Sequence, residues 1–567
     1  MTKKDIINLL ETIGTYMELA LENPFKVSAY RKAASTIERD PRTLSEIEDF
    51  SELKGIGKGV NEVIEEYVNT GRSTTLEDLK STVPASLIQL LHLPTLGAKK
   101  VAKLHKELGV TTLEGLRTEC EAGNVSALDG FGKKTEENII KGIDDMLTRP
   151  ERHPIETIQK FKAMITDALT ELEGVKRFDI AGSARRYKEM SKDLDFIVEA
   201  DDLKQVTETF LELPFIKEVV ARGDRKLSVV AEYDLDQINV DIRFTTPGAY
   251  HTTLHHFTGS KEHNVRMRQI AKSRGEKISE YGIEKNGEML TFSSEEDLFN
   301  HFELPYIPPA MRESGEEMDM AMNEIVAPED IRSDLHMHTV YSDGAHSISE
   351  MVEACIDKGY EYMVITDHSK SLKVANGLDE KRLRKQIEEV ESLRPKYPEI
   401  DIYTGTEMDI LKDGTLDFDD DILSELDYVI AAIHSSFQQT EEQIMERLEA
   451  ACDNPYVRHI AHPTGRLIGK RDGYAVNMER LIKKAKETGT VLEVNANPRR
   501  LDLSSDVIRH SGLMLTVNTD AHHTDHLDFM EFGVATLQKG LVKKDQVLNT
   551  FTRERFREWI KNGKQRF

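Results

Sequence analysis

The chain has 567 residues, more than the roughly 100–200 residues of a usual domain, so several domains are expected. Apolar residues make up 39% of the composition and charged residues 31%, with a mean hydropathy of −0.47, a balance that is typical of a soluble globular chain and argues against disorder. No apolar run approaches about 18 residues, and the N-terminus lacks the apolar stretch of a signal peptide, so we predict no membrane association and a cytoplasmic location.

The net charge of −26 is unevenly distributed, because residues 316–567 account for −15 of it. Binding to phosphate depends on local Lys and Arg, backbone amides and metal ions, so the total charge does not exclude a nucleic-acid partner. The cysteines are odd in number and lack CxxC spacing, which argues against disulfides and zinc ribbons. We therefore expect Cys120, Cys355 and Cys452 to be core thiols.

Hydrophobic spacing changes along the chain and predicts a multidomain protein. Up to residue 149, apolar positions recur at i, i+3 and i+4 between Gly and Pro breaks, which predicts helices alone. Short β-rich runs such as RFDIAG and DLDFIV then predict a mixed α/β domain, and after residue 331 strand-like runs alternate with helices, as in a parallel (β/α)7 barrel. The predicted domains are 1–80 and 81–149 (helical), 150–246 (α/β), 247–312 (small α+β), 313–331 (a linker rich in Pro and acidic residues) and 332–567 (barrel).

The helical part contains an internal repeat: LKGIGKGVNEVI (53–64), LPTLGAKKVAKL (93–104) and LDGFGKKTEENI (128–139). Each copy places a glycine after an apolar residue and directly before a Lys-containing helix, where backbone amides and a helix N-terminus can approach a phosphate oxygen. A single copy would suggest a plain pair of helix caps, but three copies favour sequence-independent phosphate binding. The glycines concerned are Gly55, Gly57, Gly97, Gly130 and Gly132.

Three aspartates of the α/β domain can form a metal site. Asp193 and Asp195 are two residues apart in a predicted strand and therefore point to the same side of the sheet, and Asp241 of another strand can lie beside them. An isolated pair of aspartates would more simply be edge or cap residues. Three carboxylates repel one another unless cations lie between them, and two Mg²⁺ or Mn²⁺ ions there would activate a 3′-hydroxyl and stabilise a leaving pyrophosphate. Three upstream residues can bind phosphate through amide, hydroxyl and guanidinium groups: Gly182, Ser183 and Arg186.

Three motifs resemble the family X DNA polymerases, the group that includes DNA polymerase beta. They are NPFKVSAYRKAASTIERDP (23–41) with the first glycine turn, the pattern GS…D-x-D…D, and HHFTGSKEHNVRMR (255–268). The resemblance runs from residue 1 to near residue 312. It implies helix-hairpin-helix motifs in a DNA-binding domain, 1–80, and in a fingers domain, 81–149, followed by a nucleotidyltransferase palm, 150–246, and a thumb, 247–312.

The resemblance also implies roles for single residues. The Lys and Tyr that form the family's pocket for the 5′-phosphate at a gap correspond to Lys26 and Tyr30. The family's nucleotide motif places His256 and Phe257 beside the incoming sugar, with Gly259 in the same motif. The further contacts implied are Asn264 with the base, Arg268 with the template strand and Arg152 with the triphosphate.

Two positions depart from the family pattern. Val63 stands where DNA polymerase beta has the Schiff-base lysine of its deoxyribose-phosphate lyase. Valine cannot form an imine, so we predict little or no lyase activity through that position. Tyr187 stands where the family usually has glycine, so the backbone directly after Arg186 is where this chain is expected to differ from the family, whereas the carboxylates are unaffected.

Residues 332–567 hold eleven of the nineteen histidines, gathered where strands are predicted to end. His336 and His338, and again Asp520 and His522, have the i, i+2 spacing that turns two side chains the same way. The C-terminal ends of strands in a parallel barrel open onto one face, so the other predicted ligands converge there: Asp343, His368, Glu407, His434 and His462. Five further histidines fit no strand end and are predicted at the surface: His346, His459, His510, His523 and His526.

Nine ligands suffice for about three metal ions, each keeping a position for water. The pattern resembles the polymerase-and-histidinol-phosphatase (PHP) domain, which implies hydrolysis of phosphate esters at a trinuclear centre. His, Asp and Glu ligands accept Mn²⁺, Zn²⁺ or Fe²⁺, so the sequence does not choose among these ions. Arg499 and Arg500 follow a predicted strand and are candidates to hold the substrate phosphate.

The whole chain resembles bacterial family X polymerases with a C-terminal PHP domain. This implies a monomeric repair enzyme that uses dNTPs to fill short gaps in gapped or primer-template DNA. It also implies a 3′-5′ exonuclease in the barrel, with AP endonuclease or 3′-phosphatase action as further options. The alternative is a barrel acting as a small-molecule phosphatase, with the N-terminal part as a DNA anchor. A non-enzymatic scaffold would have lost metal ligands, and none is missing from this sequence.

Overall fold

The computed structural model describes residues 3–40, 42, 47, 49–91, 93, 96–148, 152–234 and 236–564. The chain divides into two compact units, Met1–Glu151 and Arg152–Phe567. The boundary predicted at residues 149–150 lies outside the described residues. Across the described ranges, no helix combines the length and the apolar character needed to cross a membrane. The buried free thiols are those predicted: Cys120, Cys355 and Cys452.

All regular secondary structure among the described residues of the first unit is helical, as predicted. Local signals set the helix starts; for example, Asn23 accepts a hydrogen bond from the Phe25 amide while Pro24 occupies the first helical position. Ile37 and Val63 belong to an apolar core formed by the first three helices, and a second core is built mainly on the later ones. The helices are α1 (Lys3–Leu19), α2 (Pro24–Arg39), α3 (Lys58–Thr70), α4 (Thr74–Thr82), α5 (Leu87–Leu90), α6 (Ala98–Leu108), α7 (Leu113–Glu121) and α8 (Lys133–Thr148), with a 3-10 turn at Phe50–Glu52.

The second unit begins with the predicted α/β domain. Its elements are β1 (His153–Pro154), α9 (Ile155–Glu171), β2 (Val175–Ala181), α10 (Gly182–Arg185), β3 (Met190–Ser191), β4 (Asp193–Ala200), α11 (Leu203–Leu211), β5 (Ile216–Arg222), β6 (Lys226–Tyr233) and β7 (Asp236–Thr245). One sheet has the order β2-β4-β7-β6-β5, in which β4 and β7 run parallel and the other neighbours antiparallel. Ile158 and Phe161 of α9 pack with sheet residues such as Leu194 and Val229. The parallel pair is therefore held between strands on both sides.

The small α+β domain follows directly. It consists of α12 (Tyr250–Thr258), α13 (Lys261–Ser273), β8 (Lys277–Ser279), β9 (Gly282–Lys285), β10 (Glu288–Leu290) and α14 (Glu295–His301). The strands form an antiparallel sheet of order β10-β9-β8. Met267, Leu298 and Phe299 are buried in its apolar core, which joins the helices to the sheet.

Residues 313–331, predicted as a linker, are packed against the neighbouring domains. Met318 and Ile325 are buried in the core of the small α+β domain, and Val326 is buried in the core of the barrel that follows. These apolar residues anchor a segment whose prolines and acidic residues alone suggest a free connection. The segment forms 3-10 turns at Glu316–Asp319, Met322–Glu324 and Pro328–Asp330.

The C-terminal part forms the predicted barrel of parallel strands, in which strand order follows chain order. Met337 and Ala521, which follow the first and the last strand, form an isolated parallel bridge between the two ends of the sheet. The first strand is shorter than predicted, because regular pairing ends at Asp334. The strands are β11 (Ser333–Asp334), β12 (Tyr362–Ile365), β13 (Asp401–Asp409), β14 (Tyr428–Ala432), β15 (Val457–Ile460), β16 (Val491–Asn495) and β17 (Leu515–Asn518). The helices are α15 (Ile348–Asp357), α16 (Glu380–Leu393), α17 (Asp420–Leu423), α18 (Glu441–Asp453), α19 (Met478–Thr488), α20 (Ser505–Ile508), α21 (Met530–Lys539) and α22 (Arg553–Asn562).

Candidate active sites

The three aspartates of the α/β domain lie on its two parallel strands. Asp195 of β4 stands opposite Asp241 of β7, and Asp193 opposite Asn239, so the carboxylates meet on one face of the sheet. Burial, together with the negative charges of Asp193 and Asp241, raises the pKa of Asp195 to about 7. A cluster of this kind favours bound positive charge, which is what a site for a divalent cation requires.

Groups on the adjoining strands surround these carboxylates. Lys226 Nζ lies 2.7 Å from Asp241 Oδ2, and the Ser228 hydroxyl donates to Asp241 Oδ1 at 2.6 Å. The Arg243 guanidinium lies 3.5 Å from Asp241 and stacks on the Phe257 ring, 4.0 Å from its centroid. Sequence reasoning did not select Lys226, Ser228 or Arg243. The sequence did contain a pattern that could have identified them. Lys226 and Ser228 are two residues apart on one strand, and Arg243 is two residues after Asp241 on the next, so each pair shares a side of its strand.

The predicted phosphate-binding turn follows β2 and touches the carboxylates. Gly182 has a φ of +64°, and a Cβ built on it would lie 2.3 Å from Asp195 Oδ2, so this close approach requires glycine. The Ser183 hydroxyl donates to the Ser191 hydroxyl at 2.9 Å, which joins the turn to β3. The turn therefore lies close enough to the carboxylates for one triphosphate to contact both.

Arg186 and Gly259 bring the turn together with the nucleotide motif of the small α+β domain. The Arg186 guanidinium donates to the carbonyl of Thr258. Gly259 has a φ of +69°, and a Cβ built on it would lie 3.2 Å from Arg186 Nη1. Arg152 is exposed, and its guanidinium lies 3.5 Å from the carbonyl of Met190 near the same turn.

The other residues of the nucleotide motif lie on neighbouring helices. His256 and Phe257 pack edge to face, with ring centroids 4.9 Å apart. The side-chain amide of Asn264 donates to the carbonyl of His256 at 2.8 Å. His256, Asn264 and Arg268 line one narrow cleft, so the residues expected to meet the sugar, the base and the template strand are neighbours.

The nine predicted metal ligands converge at the C-terminal ends of the barrel strands. Asp520 Oδ1 lies 3.2 Å from His338 Nε2, and His462 Nε2 lies 2.8 Å from Glu407 Oε1. Both pairs adjoin four groups, and within each group the ligand atoms lie within 4.8 Å of one another: His338, Asp343, His368 and His522; His336, His338 and Glu407; His336, His459 and Glu493; and His368, Glu407 and His434. The structure therefore brings all nine side chains into one continuous cluster.

Several buried atoms of this cluster have no hydrogen-bond partner among the described residues. They include His336 Nε2, both ring nitrogens of His338 and Glu407 Oε2. Burial alone would raise the pKa of Glu407, but the surrounding imidazoles of His434, His336 and His368 lower it well below its usual value. Buried polar atoms without partners are costly unless a cation binds them, and a mixed set of imidazole and carboxylate donors fits Mn²⁺, Zn²⁺ or Fe²⁺.

Two carboxylates that sequence reasoning missed orient ligand histidines. Glu493 Oε1 lies 2.8 Å from His336 Nδ1, and Asp409 Oδ1 lies 3.0 Å from His434 Nδ1. A carboxylate at one ring nitrogen fixes the tautomer that presents the other nitrogen to a metal. The available signal was the position of Glu493 and Asp409 on barrel strands, since inward-facing acidic residues of a barrel are seldom there for packing.

The surface prediction for five barrel histidines was wrong for His346 and His459, which are buried, whereas His510 is exposed and His523 and His526 are partly exposed. His459 lies within β15, where its Nδ1 is 2.9 Å from the Tyr428 hydroxyl and its Nε2 is 3.6 Å from Glu493. A position that fails to match a strand end can still face the barrel interior, which explains the error. The histidines that are buried or half-buried are His346, His459, His523 and His526.

The two arginines after β16 have different surroundings. Arg499 Nε lies 2.8 Å from Glu156 of α9, in the α/β domain. Arg500 Nε lies 3.7 Å from Asp520 Oδ2, at the edge of the ligand cluster. Arg500 is therefore the better placed of the two to hold a substrate phosphate, whereas Arg499 links the barrel to the α/β domain.

The glycine turns of the first unit each precede a helix. Gly57 caps α3 and Gly97 caps α6, while Gly132 directly precedes α8. Gly55 and Gly130 have φ values of +108° and +85°, in the left-handed region that glycine favours. Each turn therefore presents a helix N-terminus that a phosphate group can approach.

Lys26 and Tyr30 lie one turn apart on α2. Lys26 is exposed and lies 3.4 Å from Glu22, whereas Tyr30 is almost buried and its pKa is raised by that burial. Val63 is 7% exposed and belongs to the core of the first unit. A lysine in its place would have to carry its amine out of an apolar core.

Comparison with known proteins supplies the family. Models match a helix-hairpin-helix domain at residues 1–73, a SAM-like helix-hairpin-helix tandem at 87–145, the DNA polymerase beta thumb at 253–313 and the PHP domain at 334–497. The DNA polymerase/3′-5′ exonuclease PolX of Bacillus subtilis (strain 168) is 52% identical over 556 residues, which span 97% of both chains. The chain belongs to the bacterial family X DNA polymerases with a C-terminal PHP domain.

Other relatives of this family X polymerase match parts of its length. DNA polymerase lambda of Arabidopsis thaliana is 25% identical over 345 residues, which cover 54% of this chain and 61% of that protein. A probable phosphatase of Thermoanaerobacter sp. (strain X514) is 28% identical over 251 residues, which cover 41% of this chain and 96% of that protein. The family and the fold predicted from the sequence are thus confirmed for this family X polymerase.

Proposed function

We propose that this protein is a template-directed DNA polymerase that fills short gaps during DNA repair and trims 3′ ends with a 3′-5′ exonuclease in its barrel. The observation that carries the proposal is the presence, in one chain, of the three facing carboxylates of the palm and the nine converging ligands of the barrel. The PolX relative, which carries both activities in its name, matches almost the full length.

In the palm, Asp193, Asp195 and Asp241 hold Mg²⁺ or Mn²⁺. Cations held there supply Lewis acidity to the primer 3′-hydroxyl and to the triphosphate of the dNTP. The turn at Gly182 and Ser183 offers amides and a hydroxyl to the phosphates, and Arg152 and Arg186 add guanidinium contacts. His256, Phe257 and Gly259 surround the sugar, while Asn264 contacts the base and Arg268 the template strand.

In the barrel, the nine clustered ligands hold about three ions of Mn²⁺, Zn²⁺ or Fe²⁺. Ions held there acidify the attacking water and stabilise charge on the scissile phosphate. Glu493 and Asp409 hold His336 and His434 in the tautomers that ligation needs. Arg500 holds the phosphate of the 3′-terminal nucleotide from the edge of the cluster. AP endonuclease or 3′-phosphatase action would use the same groups.

The remaining assignments belong to the same proposal. DNA is bound through Gly55, Gly57, Gly97, Gly130 and Gly132, and the 5′-phosphate at a gap through Lys26 and Tyr30. The enzyme acts as a monomer in the cytoplasm, where bacterial DNA lies. Its domains are a DNA-binding domain (1–80), fingers (81–149), palm (150–246), thumb (247–312), a packed connection (313–331) and the PHP domain (332–567).

A labelled primer in gapped DNA tests both activities in one assay. With dNTPs and Mg²⁺ or Mn²⁺ the primer should lengthen, and without dNTPs it should shorten from its 3′ end. A small-molecule phosphatase attached to a DNA anchor would do neither, and would instead release phosphate from a small ester. The match to PolX over 97% of both chains favours the polymerase and exonuclease over this alternative.

Lys26→Ala should reduce the preference for a gap that carries a 5′-phosphate by about tenfold, because one charge-assisted contact to that phosphate is lost. The measurement compares the Kd for gapped DNA with a 5′-phosphate and with a 5′-hydroxyl. Lys80→Ala is the control, since Lys80 is an exposed lysine on α4 of the same unit. Equal affinity of the parent protein for the two gaps would contradict the assignment of Lys26 and Tyr30 to a pocket for the 5′-phosphate.

Borohydride trapping on DNA with a 5′-deoxyribose phosphate should give no stable covalent adduct within residues 50–70, because the buried Val63 replaces the family's nucleophile. The adducts are mapped by peptide mass, and an active lyase serves as the positive control. A strong adduct at Lys54 or Lys58 would show that another lysine has taken over, and the prediction would then be wrong.

A further inference from the structure

The phosphate-binding turn of the palm ends in an unusual backbone conformation. Tyr187 has a φ of +53°, in the left-handed region that a residue with a Cβ adopts only at a cost. Its amide donates to the carbonyl of Ala184 at 3.1 Å, and the next amide, of Lys188, donates to the carbonyl of Ser183 at 3.0 Å. The conformation of Tyr187 is therefore tied to the position of the turn.

Helix α21 of the barrel contacts Tyr187 at three points. The ring of Phe532 packs edge to face with the Tyr187 ring, with centroids 5.8 Å apart. The Tyr187 hydroxyl donates to Glu531 Oε2 at 3.4 Å, and Lys539 Nζ donates to the Tyr187 carbonyl. Phe532 is 5% exposed and Lys539 is 8% exposed, so two of these contacts are made by buried side chains, whereas the hydrogen bond to Glu531 is exposed to water.

Glu189, two residues further on, provides another attachment to the barrel. The Arg466 guanidinium forms a bidentate ion pair with the Glu189 carboxylate, with N–O distances of 2.7 and 3.1 Å. The Glu189 carbonyl accepts from the Ile155 amide at 2.9 Å, and Ile155 shares an apolar cluster with Leu501 and Phe532 of the barrel. The segment after the turn is thus fixed to the barrel by aromatic, ionic and apolar contacts.

We infer that the PHP barrel is a positioning element of the polymerase, which holds the triphosphate-binding turn in place through the docking of Tyr187 on Phe532 and Lys539. This inference rests on the polymerase function proposed above. The barrel contacts offset the cost of the left-handed tyrosine, so the turn is ordered before the dNTP arrives. Tyr187 is a positioning residue, because it acts on the triphosphate only through Ser183 and its neighbours.

Phe532→Ala in the full chain tests the inference. Without the ring, Tyr187 loses its docking site, and the KM for dNTP in gap filling should rise about tenfold, while kcat changes less than about twofold. The 3′-5′ digestion by the same protein, measured without dNTPs, should stay at the parental rate. Phe551→Ala is the matched control, because Phe551 is also buried in the barrel but packs near Trp559, and its KM should be parental.

Tyr187→Ala removes the same contact by a change in the palm and leaves the barrel sequence unchanged, and the KM for dNTP is measured again. It should raise the KM by a similar factor, and the double variant with Phe532→Ala should be no worse than either single variant, because both remove one contact. A parental KM in Phe532→Ala with normal digestion would overturn the inference. If Phe532→Ala loses both activities through misfolding, Tyr187→Ala decides, and an unchanged KM there overturns it. A parent protein that extends no gapped primer would instead overturn the proposed polymerase function.

Discussion

Asp241→Ala should lower the rate of template-directed gap filling by on the order of three powers of ten. Asp241 faces Asp195 across the parallel strands and is one of the carboxylates proposed to hold the catalytic cations. Its loss also leaves Lys226, 2.7 Å away, without its partner, so a positive charge remains where a metal ion has to bind. Single-turnover extension of a labelled primer across a one-nucleotide gap measures the effect.

Two controls separate chemistry from folding and DNA binding. Asp201→Ala should extend the primer at the parental rate, because Asp201 is an exposed palm aspartate that pairs with Lys176 at the surface. Asp241→Ala itself should still bind gapped DNA with parental affinity, since the glycine turns proposed to contact phosphate are unchanged. Extension by Asp241→Ala within tenfold of the parent would mean that the assignment of this carboxylate to the catalytic cations is wrong.

The double variant His336→Ala with His338→Ala should abolish 3′-5′ digestion and leave gap filling largely intact. The two imidazoles are two of the nine predicted ligands, and one or both of them belong to three of the four groups in the barrel cluster, so their loss should weaken metal binding and remove the activity with it. Digestion is measured on a labelled 3′ end without dNTPs, and the metal content of the purified protein is measured in parallel. Asp241→Ala should show the reverse pattern, with digestion kept and extension lost.

His510→Asn is the matched control for this pair. His510 is an exposed barrel histidine with a left-handed backbone, φ +58°, which asparagine tolerates, so digestion and metal content should be parental. Normal digestion by the His336 and His338 double variant, after contaminating nucleases have been removed, would show that the barrel is not the nuclease. The barrel would then be better explained as a small-molecule phosphatase.

The sequence predicted the parts of the two sites that depend on strand geometry. The i, i+2 spacing of Asp193 and Asp195 fixed their common side of a strand, and the seven strand-like runs placed the histidines at one end of a barrel. For Asp241 to join them, its strand had only to be the neighbour of theirs in the sheet. The structure shows this pairing, since β7 lies next to β4. These inferences succeed because a strand constrains its side chains locally.

Features that depend on contacts between distant segments were not predicted. Lys226 and Arg243 acquire their importance from the sheet order, and Glu493 from facing His336 across the barrel. The burial of His459 was missed for the same reason, because the residue pattern of one strand does not show which distant segments pack against it. The departure at Tyr187 was visible in the sequence, but the barrel helix that contacts it lies more than three hundred residues away.

The packed connection between thumb and barrel limits where the chain can be divided. Val326 is fully buried among barrel residues, its amide donates to the Val542 carbonyl at 3.1 Å, and Ile325 forms an antiparallel bridge with Lys543. A fragment starting at residue 332 would therefore expose the apolar surface that Ile325 and Val326 cover, and this exposed surface would promote self-association. A barrel excised for separate expression should start upstream of Ile325, and limited proteolysis should spare this stretch.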